Sequence, residues 1–154
     1  MFGGDGIDIL RGGDGDDFMN GGDGNDTMEG GSGDDEMAGQ EGNDALDGGE
    51  GNDTMNGQDG IDWLWGRAGN DNLFGGAGND DLYGGDGADV MVGEDGADEL
   101  FGGNGDDILC GNDGVVNDAF IDTLDGEDGA DYLWFDPAID NNLFDVLDTI
   151  TPNG

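Results

Sequence analysis

Gly75-Gly76-Ala77-Gly78-Asn79-Asp80-Asp81-Leu82-Tyr83 is a nine-residue phrase that the chain repeats twelve times between Gly3 and Cys110 without losing phase. Written from its first glycine it reads Gly-x-x-Gly-x-Asp-x-(Leu/Met)-x, and Gly12-Gly13-Asp14-Gly15-Asp16-Asp17-Phe18-Met19-Asn20 is another copy. The fourth position is glycine from Gly6 through Gly105. The sixth is aspartate in every copy: Asp8, Asp17, Asp26, Asp35, Asp44, Asp53, Asp62, Asp71, Asp80, Asp89, Asp98 and Asp107. The eighth is Leu or Met, from Leu10 to Leu109. A tract merely rich in Gly and Asp would drift, so the fixed period points to a repeat architecture.

Glycines three apart permit positive φ and a tight turn in which backbone carbonyls point inward together. The seventh to ninth positions set one apolar residue between two variable ones, the shortest segment that shows a strand's alternation, with the eighth side chain pointing in. Nine residues then give one turn and one short strand. Two repeats make a full coil whose strands lie on opposite sides, with the Leu and Met side chains filling the space between. The expected fold is all-β: a narrow parallel β-roll, or β-solenoid, of stacked nine-residue repeats.

Stacking also lays sixth-position carboxylates one above another about 4.8 Å apart, the spacing of neighbouring strands. Left bare, they repel. A hard divalent cation between them would accept the carboxylates plus carbonyl oxygens, which suits the oxygen-rich shell of Ca²⁺ better than the tight octahedron of Mg²⁺. The absence of His and the single Cys110 argue against zinc, copper or iron.

Over residues 3 to 134 the repeats closely resemble the Gly-Gly-x-Gly-x-Asp-x-U-x pattern of the RTX (repeats-in-toxin, haemolysin-type) calcium-binding proteins. The resemblance implies that each Ca²⁺ sits between turn n and turn n+2 on one edge of the roll. Its ligands would be the aspartates named above, with Asp131 of the last copy. Loop carbonyls such as those of Gly12, Asp14, Gly15, Gly30, Ser32, Gly33, Gly48, Glu50, Gly51, Gly66, Ala68, Gly69, Gly84, Asp86 and Gly87 would complete the shell. Twelve regular repeats contain ten n/n+2 pairs, and the two later copies raise the number to twelve. The second position departs from the pattern as Gln40, Gln58, Arg67 and Glu94. It supplies mainly backbone, so the expectation there is a weakened site rather than a lost one.

The chain's 154 residues fit one domain, and 40 acidic residues stand against only Arg11 and Arg67, a net charge of −38. Without counterions a compact state would repel itself. One core side chain per nine residues is also a thin core against the ordering of so many glycines. Extracellular calcium modules bind at about 10⁻⁴ to 10⁻³ M, so the expectation is a secreted or cell-surface protein, unfolded in low calcium and folded outside. The resemblance implies one-step export of the same kind. No signal peptide or membrane-spanning run is visible; Met1-Phe2 leads straight into the first repeat. A lone cysteine excludes an intramolecular disulfide framework, and the charge argues against nucleic acid or an anionic membrane as partner.

Along the chain, the ninth position is mostly polar through the sixth repeat (Arg11, Asn20, Glu29, Ala38, Asp47, Asn56) and then turns apolar. Because faces alternate by repeat, Trp65, Tyr83 and Phe101 should stack along one sheet, and Phe74, Val92 and Cys110 along the other. The expected organisation is a β-roll over 1–134, with regular repeats at 3–110, an interrupted repeat at 111–125 and a last repeat at 126–134. A capping segment at 135–154 follows, apolar and polar by turns.

No catalytic constellation is present: there is no His, Ser32 is the single serine, and Cys110 has no base. EF-hand spacing is missing, and five scattered Thr cannot form an ice-binding array. A flexible linker is disfavoured by the fixed phase. The alternative reading is structural: an adhesive extracellular subunit whose uncovered first coil pairs head-to-tail with another copy, giving calcium-dependent filaments. The chain would otherwise be part of a larger secreted protein.

Overall fold

The computed structural model describes residues 1–111 and 123–134. The insertion of the thirteenth repeat and the capping segment at 135–154 fall outside these residues. Among the described residues fifteen short parallel strands form two sheets that face each other. One sheet holds β1 (Phe2–Asp5), β3 (Phe18–Asp23), β5 (Glu36–Glu41), β7 (Thr54–Asp59), β9 (Asn72–Ala77), β11 (Val90–Asp95), β13 (Ile108–Cys110) and β15 (Tyr132–Trp134), in that order. The other holds β2 (Ile9–Asp14), β4 (Thr27–Ser32), β6 (Ala45–Glu50), β8 (Trp63–Ala68), β10 (Asp81–Asp86), β12 (Glu99–Asn104) and β14 (Thr123–Asp128). Each strand pairs with the strand two repeats away, never with its sequence neighbour, which is the topology of a β-solenoid with two repeats per coil. Among the described residues no helix is long and apolar enough to cross a membrane.

The regular strand is six residues long, not three. It runs from the seventh position of one repeat to the third of the next, as in Ile9–Asp14, and so passes through two glycines. Glycine disfavours an isolated strand, but here the backbone is held on both sides by pairing to the coils above and below. Gly12 cannot be larger, for the crowding described below. Gly13 has φ 111° and Gly15 φ 97°, a left-handed backbone that turns the chain toward the opposite sheet. Gln40, Gln58, Arg67, Glu94 and Glu127 adopt the same positive φ at the second position.

Position-eight side chains form one continuous core from Leu10 to Leu109, with Leu124 and Leu133 packed against it. In-register pairing puts like upon like, for example Leu64 beside Leu82 and Leu82 beside Leu100. Outside the second sheet the expected aromatic row is present. Trp65 and Tyr83 stack with centroids 6.2 Å apart and planes at 10°, and Tyr83 and Phe101 at 5.0 Å and 8°. Arg67 lies 5.9 Å from the Trp65 ring and pairs with Asp47 at 2.6 Å, closing one end of the row. On the first sheet Phe74, Val92 and Cys110 are register neighbours, also as expected.

Candidate metal centre

The three residues between strands, such as Gly15-Asp16-Asp17, carry the sixth-position aspartate at the end of each turn, just before the chain re-enters the sheet. Alternate repeats reach opposite edges, so the aspartates form two columns. One holds Asp8, Asp26, Asp44, Asp62, Asp80 and Asp98, and the other Asp17, Asp35, Asp53, Asp71, Asp89, Asp107 and Asp131. Within each column the Oδ1 of one aspartate accepts the backbone N–H of the aspartate one coil earlier, at 2.7 to 3.0 Å in all eleven steps.

The other carboxylate oxygen has no such partner. Oδ2 of Asp8, Asp26, Asp35, Asp44, Asp53, Asp62, Asp71, Asp80, Asp89, Asp98 and Asp107 is buried without a hydrogen bond. A carboxylate in that state is costly to bury unless something takes the lone pairs. Burial accordingly pushes the carboxyl pKa up, against the lowering effect of the accepted backbone N–H: to about 6 in Asp62 and Asp89, and to about 7 in Asp71 and Asp80. Neighbouring aspartates in the same column add to the rise, and Asp35, Asp44, Asp53 and Asp107 shift the same way.

The Oδ2 oxygens of the columns face the first-position glycines. A Cβ added to Gly12 would stand 2.7 Å from Asp17 Oδ2 and 2.5 Å from the carbonyl oxygen of Gly30 in the next coil. Gly3 shows the same pair, Asp8 Oδ2 at 2.8 Å and the Gly21 oxygen at 2.5 Å. Carboxylate and carbonyl oxygens therefore converge on a space that any side chain at the first position would fill. Position one is glycine in every regular copy for this reason and not for the positive φ expected of glycines three apart, which the structure puts at the second and fourth positions.

The expected carbonyl ligands divide into three sets, at the first, third and fourth positions. Those of Gly30, Gly48 and Gly84 point at first-position glycines of the coil before, while those of Gly15, Gly33, Gly51, Gly69 and Gly87 point at fourth-position glycines of the coil after. Gly12 and Gly66 hold the same first position in their own turns. Carbonyls of Ser32, Glu50, Ala68 and Asp86 already accept one backbone N–H each, from Gly15, Gly33, Gly51 and Gly69, and keep one lone pair. Asp14 occupies their place in β2. Among the described residues no group of three or more acidic, His or Cys side chains could hold an ion by itself. Any cation here must therefore take most of its ligands from the backbone, as an oxygen-seeking ion of high coordination number does.

A second kind of ladder, at the fifth position, was not foreseen. Fifth-position side chains accept the fifth-position N–H of the next coil: Asn25 from Asn43 at 3.1 Å, Asp34 from Asn52 at 2.8 Å, Asn52 from Asn70 at 2.9 Å, Asn70 from Ala88 at 2.8 Å. The two ladders run in opposite senses, the sixth position reaching back and the fifth reaching forward. The frequency of Asn and Asp at the fifth position was its signal in the sequence.

Compared with known families, the chain matches the RTX calcium-binding nonapeptide repeat over residues 2–37, 21–55, 29–64, 56–91, 83–115 and 118–140. The chain belongs to that family. No individual curated protein matches it. RTX repeats bind calcium, and the orphaned oxygens and side-chain-free cradles of this RTX chain are of the kind a calcium ion requires. Its β-roll is a structural calcium-binding fold.

Proposed function

We propose that the chain is a secreted RTX module whose folding is driven by calcium held between stacked turns. The observation that carries this is the set of eleven buried, unpaired aspartate oxygens in a chain of net charge −38. The proposed side-chain ligands are the two aspartate columns, with first-, third- and fourth-position carbonyls completing each shell. The columns give about ten sites, rising to twelve with the later copies, if each successive pair holds one ion of high oxygen coordination. Calcium supplies the positive charge that a bare column lacks. The residues orient their oxygens through the Oδ1 bonds and exclude water with the Leu/Met core behind them. Low intracellular calcium would keep the chain extended during export, and higher calcium outside would fold it. Circular dichroism and hydrodynamic radius during a calcium titration test this. At neutral pH a coil spectrum and expanded radius in chelator, converting cooperatively to compact β structure, are expected; a compact β protein in excess chelator at that pH overturns it.

A second reading, a self-assembling extracellular scaffold, is favoured by apolar side chains left at the surface, including Trp63 at 38 % and Ile108 at 44 % exposure. Light scattering at millimolar calcium separates the two. Ordered polymers favour the scaffold, and monomers at high protein concentration reject it.

A further inference from the structure

The core is chemically uneven. Met19, Met28, Met37 and Met55 occupy four of the first six core positions, whereas the next six are Leu64, Leu73, Leu82, Leu100 and Leu109 with Met91. Met19, Met37 and Met55 are consecutive register partners in the first sheet, and Met28 lies between Leu10 and Leu46 in the second. All five buried methionines are 0 to 2 % exposed. A propensity argument does not require Met there, since Leu fills the same position elsewhere. The difference is chemical: a thioether takes up one oxygen atom from a peroxide, the sulfur losing two electrons as the peroxide O–O bond breaks and water or an alcohol leaves.

We propose that Met19, Met28, Met37 and Met55 are a peroxide modification site that is closed in the folded roll and open in the extended chain. This rests on the calcium-driven folding proposed above. In the folded roll each sulfur lies behind two sheets whose amides are committed to inter-coil pairing. In the extended chain all of them are in water. A sulfoxide oxygen is a strong acceptor, and the core around it is built of Leu and Met side chains, which carry no donor. Oxidation before calcium arrives therefore blocks the coils between residues 12 and 56, while oxidation after calcium does not reach them. The Leu-rich coils under the Trp65–Tyr83–Phe101 stack are less affected, so damage is directed to one half of the rod. The chain thereby records whether it met peroxide before or after calcium.

Peptide-resolved mass spectrometry after hydrogen peroxide treatment, in calcium and in chelator, is the test, with exposed Met1 as internal reference. Oxidation of the four sites relative to Met1 should be at least about tenfold slower in calcium, the protection expected of groups reached only by opening of the fold. In a second arm the chain is oxidised in denaturant, then returned to calcium. Wild type should lose β structure between residues 12 and 56, read by hydrogen exchange, whereas the combined Met19→Leu, Met28→Leu, Met37→Leu, Met55→Leu and Met91→Leu variant, which leaves no core thioether to oxidise, should refold. Oxidised wild type that refolds fully overturns the proposal. Equal protection in chelator and calcium, with the second arm as expected, instead removes calcium-driven folding and leaves the core's peroxide sensitivity standing.

Discussion

At the scale of single residues, each sixth-position aspartate has two separable tasks, because its two oxygens have different partners. Asp71 shows them well: Oδ1 accepts the Asp53 N–H at 2.8 Å, and Oδ2 is buried and unpaired. Asp71→Ala removes both and leaves a buried N–H unsatisfied, a loss of about 1 to 3 kcal/mol, and it should weaken the ion sites above and below together. Asp71→Asn keeps an acceptor for the Asp53 N–H but removes the charge, so it should lose calcium affinity while disturbing the ion-free chain less. Calcium titrations of both variants check this, with Asn72→Ala, outside the column, changing little. Gly12→Ala should be equally selective. Its methyl group would enter the space shared by Asp17 Oδ2 and the Gly30 carbonyl, an overpacking that typically costs about 1 to 3 kcal/mol and here also removes oxygens from the ion's reach. The residue scale was largely legible, since an unbroken column of Asp has few explanations. The first-position glycine was not, because its reason is a neighbour five residues on and another eighteen residues on, which period alone does not separate from turn chemistry.

Individual strands behave less simply. Six-residue strands through paired glycines could not be read from propensity, which places glycine in turns; inter-coil pairing overrode it. Fifth-position hydrogen bonds were hidden for a different reason: Ile7, Ile61, Ala88 and Ala97 interrupt the Asn/Asp run and make the position look free. The aromatic row was legible because alternation of faces fixes which residues eighteen apart must meet. Tyr83 touches both neighbours in that row. At about 0.5 to 1.5 kcal/mol per aromatic pair, Tyr83→Ala should destabilise the roll by about 1 to 3 kcal/mol and raise the calcium concentration at the folding midpoint. Asn52→Ala, which deprives the Asn70 N–H of its acceptor, should cost less, about 0.5 to 1 kcal/mol, because water reaches that edge. Both shifts are measurable by circular dichroism across a calcium series.

For the whole molecule, the carboxylate columns make stability depend on pH with an unusual sign. Asp62 and Asp89 rise from the ordinary 3.8 to about 6, and Asp71 and Asp80 to about 7. Without calcium the folded chain therefore holds protons that the unfolded chain has released. The resulting stabilisation is fully present below the unfolded value and is lost as pH rises through the folded ones. The chelated chain should gain compact β structure on acidification and lose it again toward neutrality, while calcium affinity should fall as protons compete for the same oxygens. Circular dichroism in chelator as pH is lowered follows the first effect, and calcium titrations at two pH values follow the second.

In the proposed arrangement each stacked pair of aspartates holds one calcium ion. Native mass spectrometry of the chain in millimolar calcium counts those ions directly. About ten to twelve per chain are expected from one high-coordination ion per stacked pair. One or two ions on a fully folded chain would contradict the account, because the buried unpaired oxygens would then need some other partner.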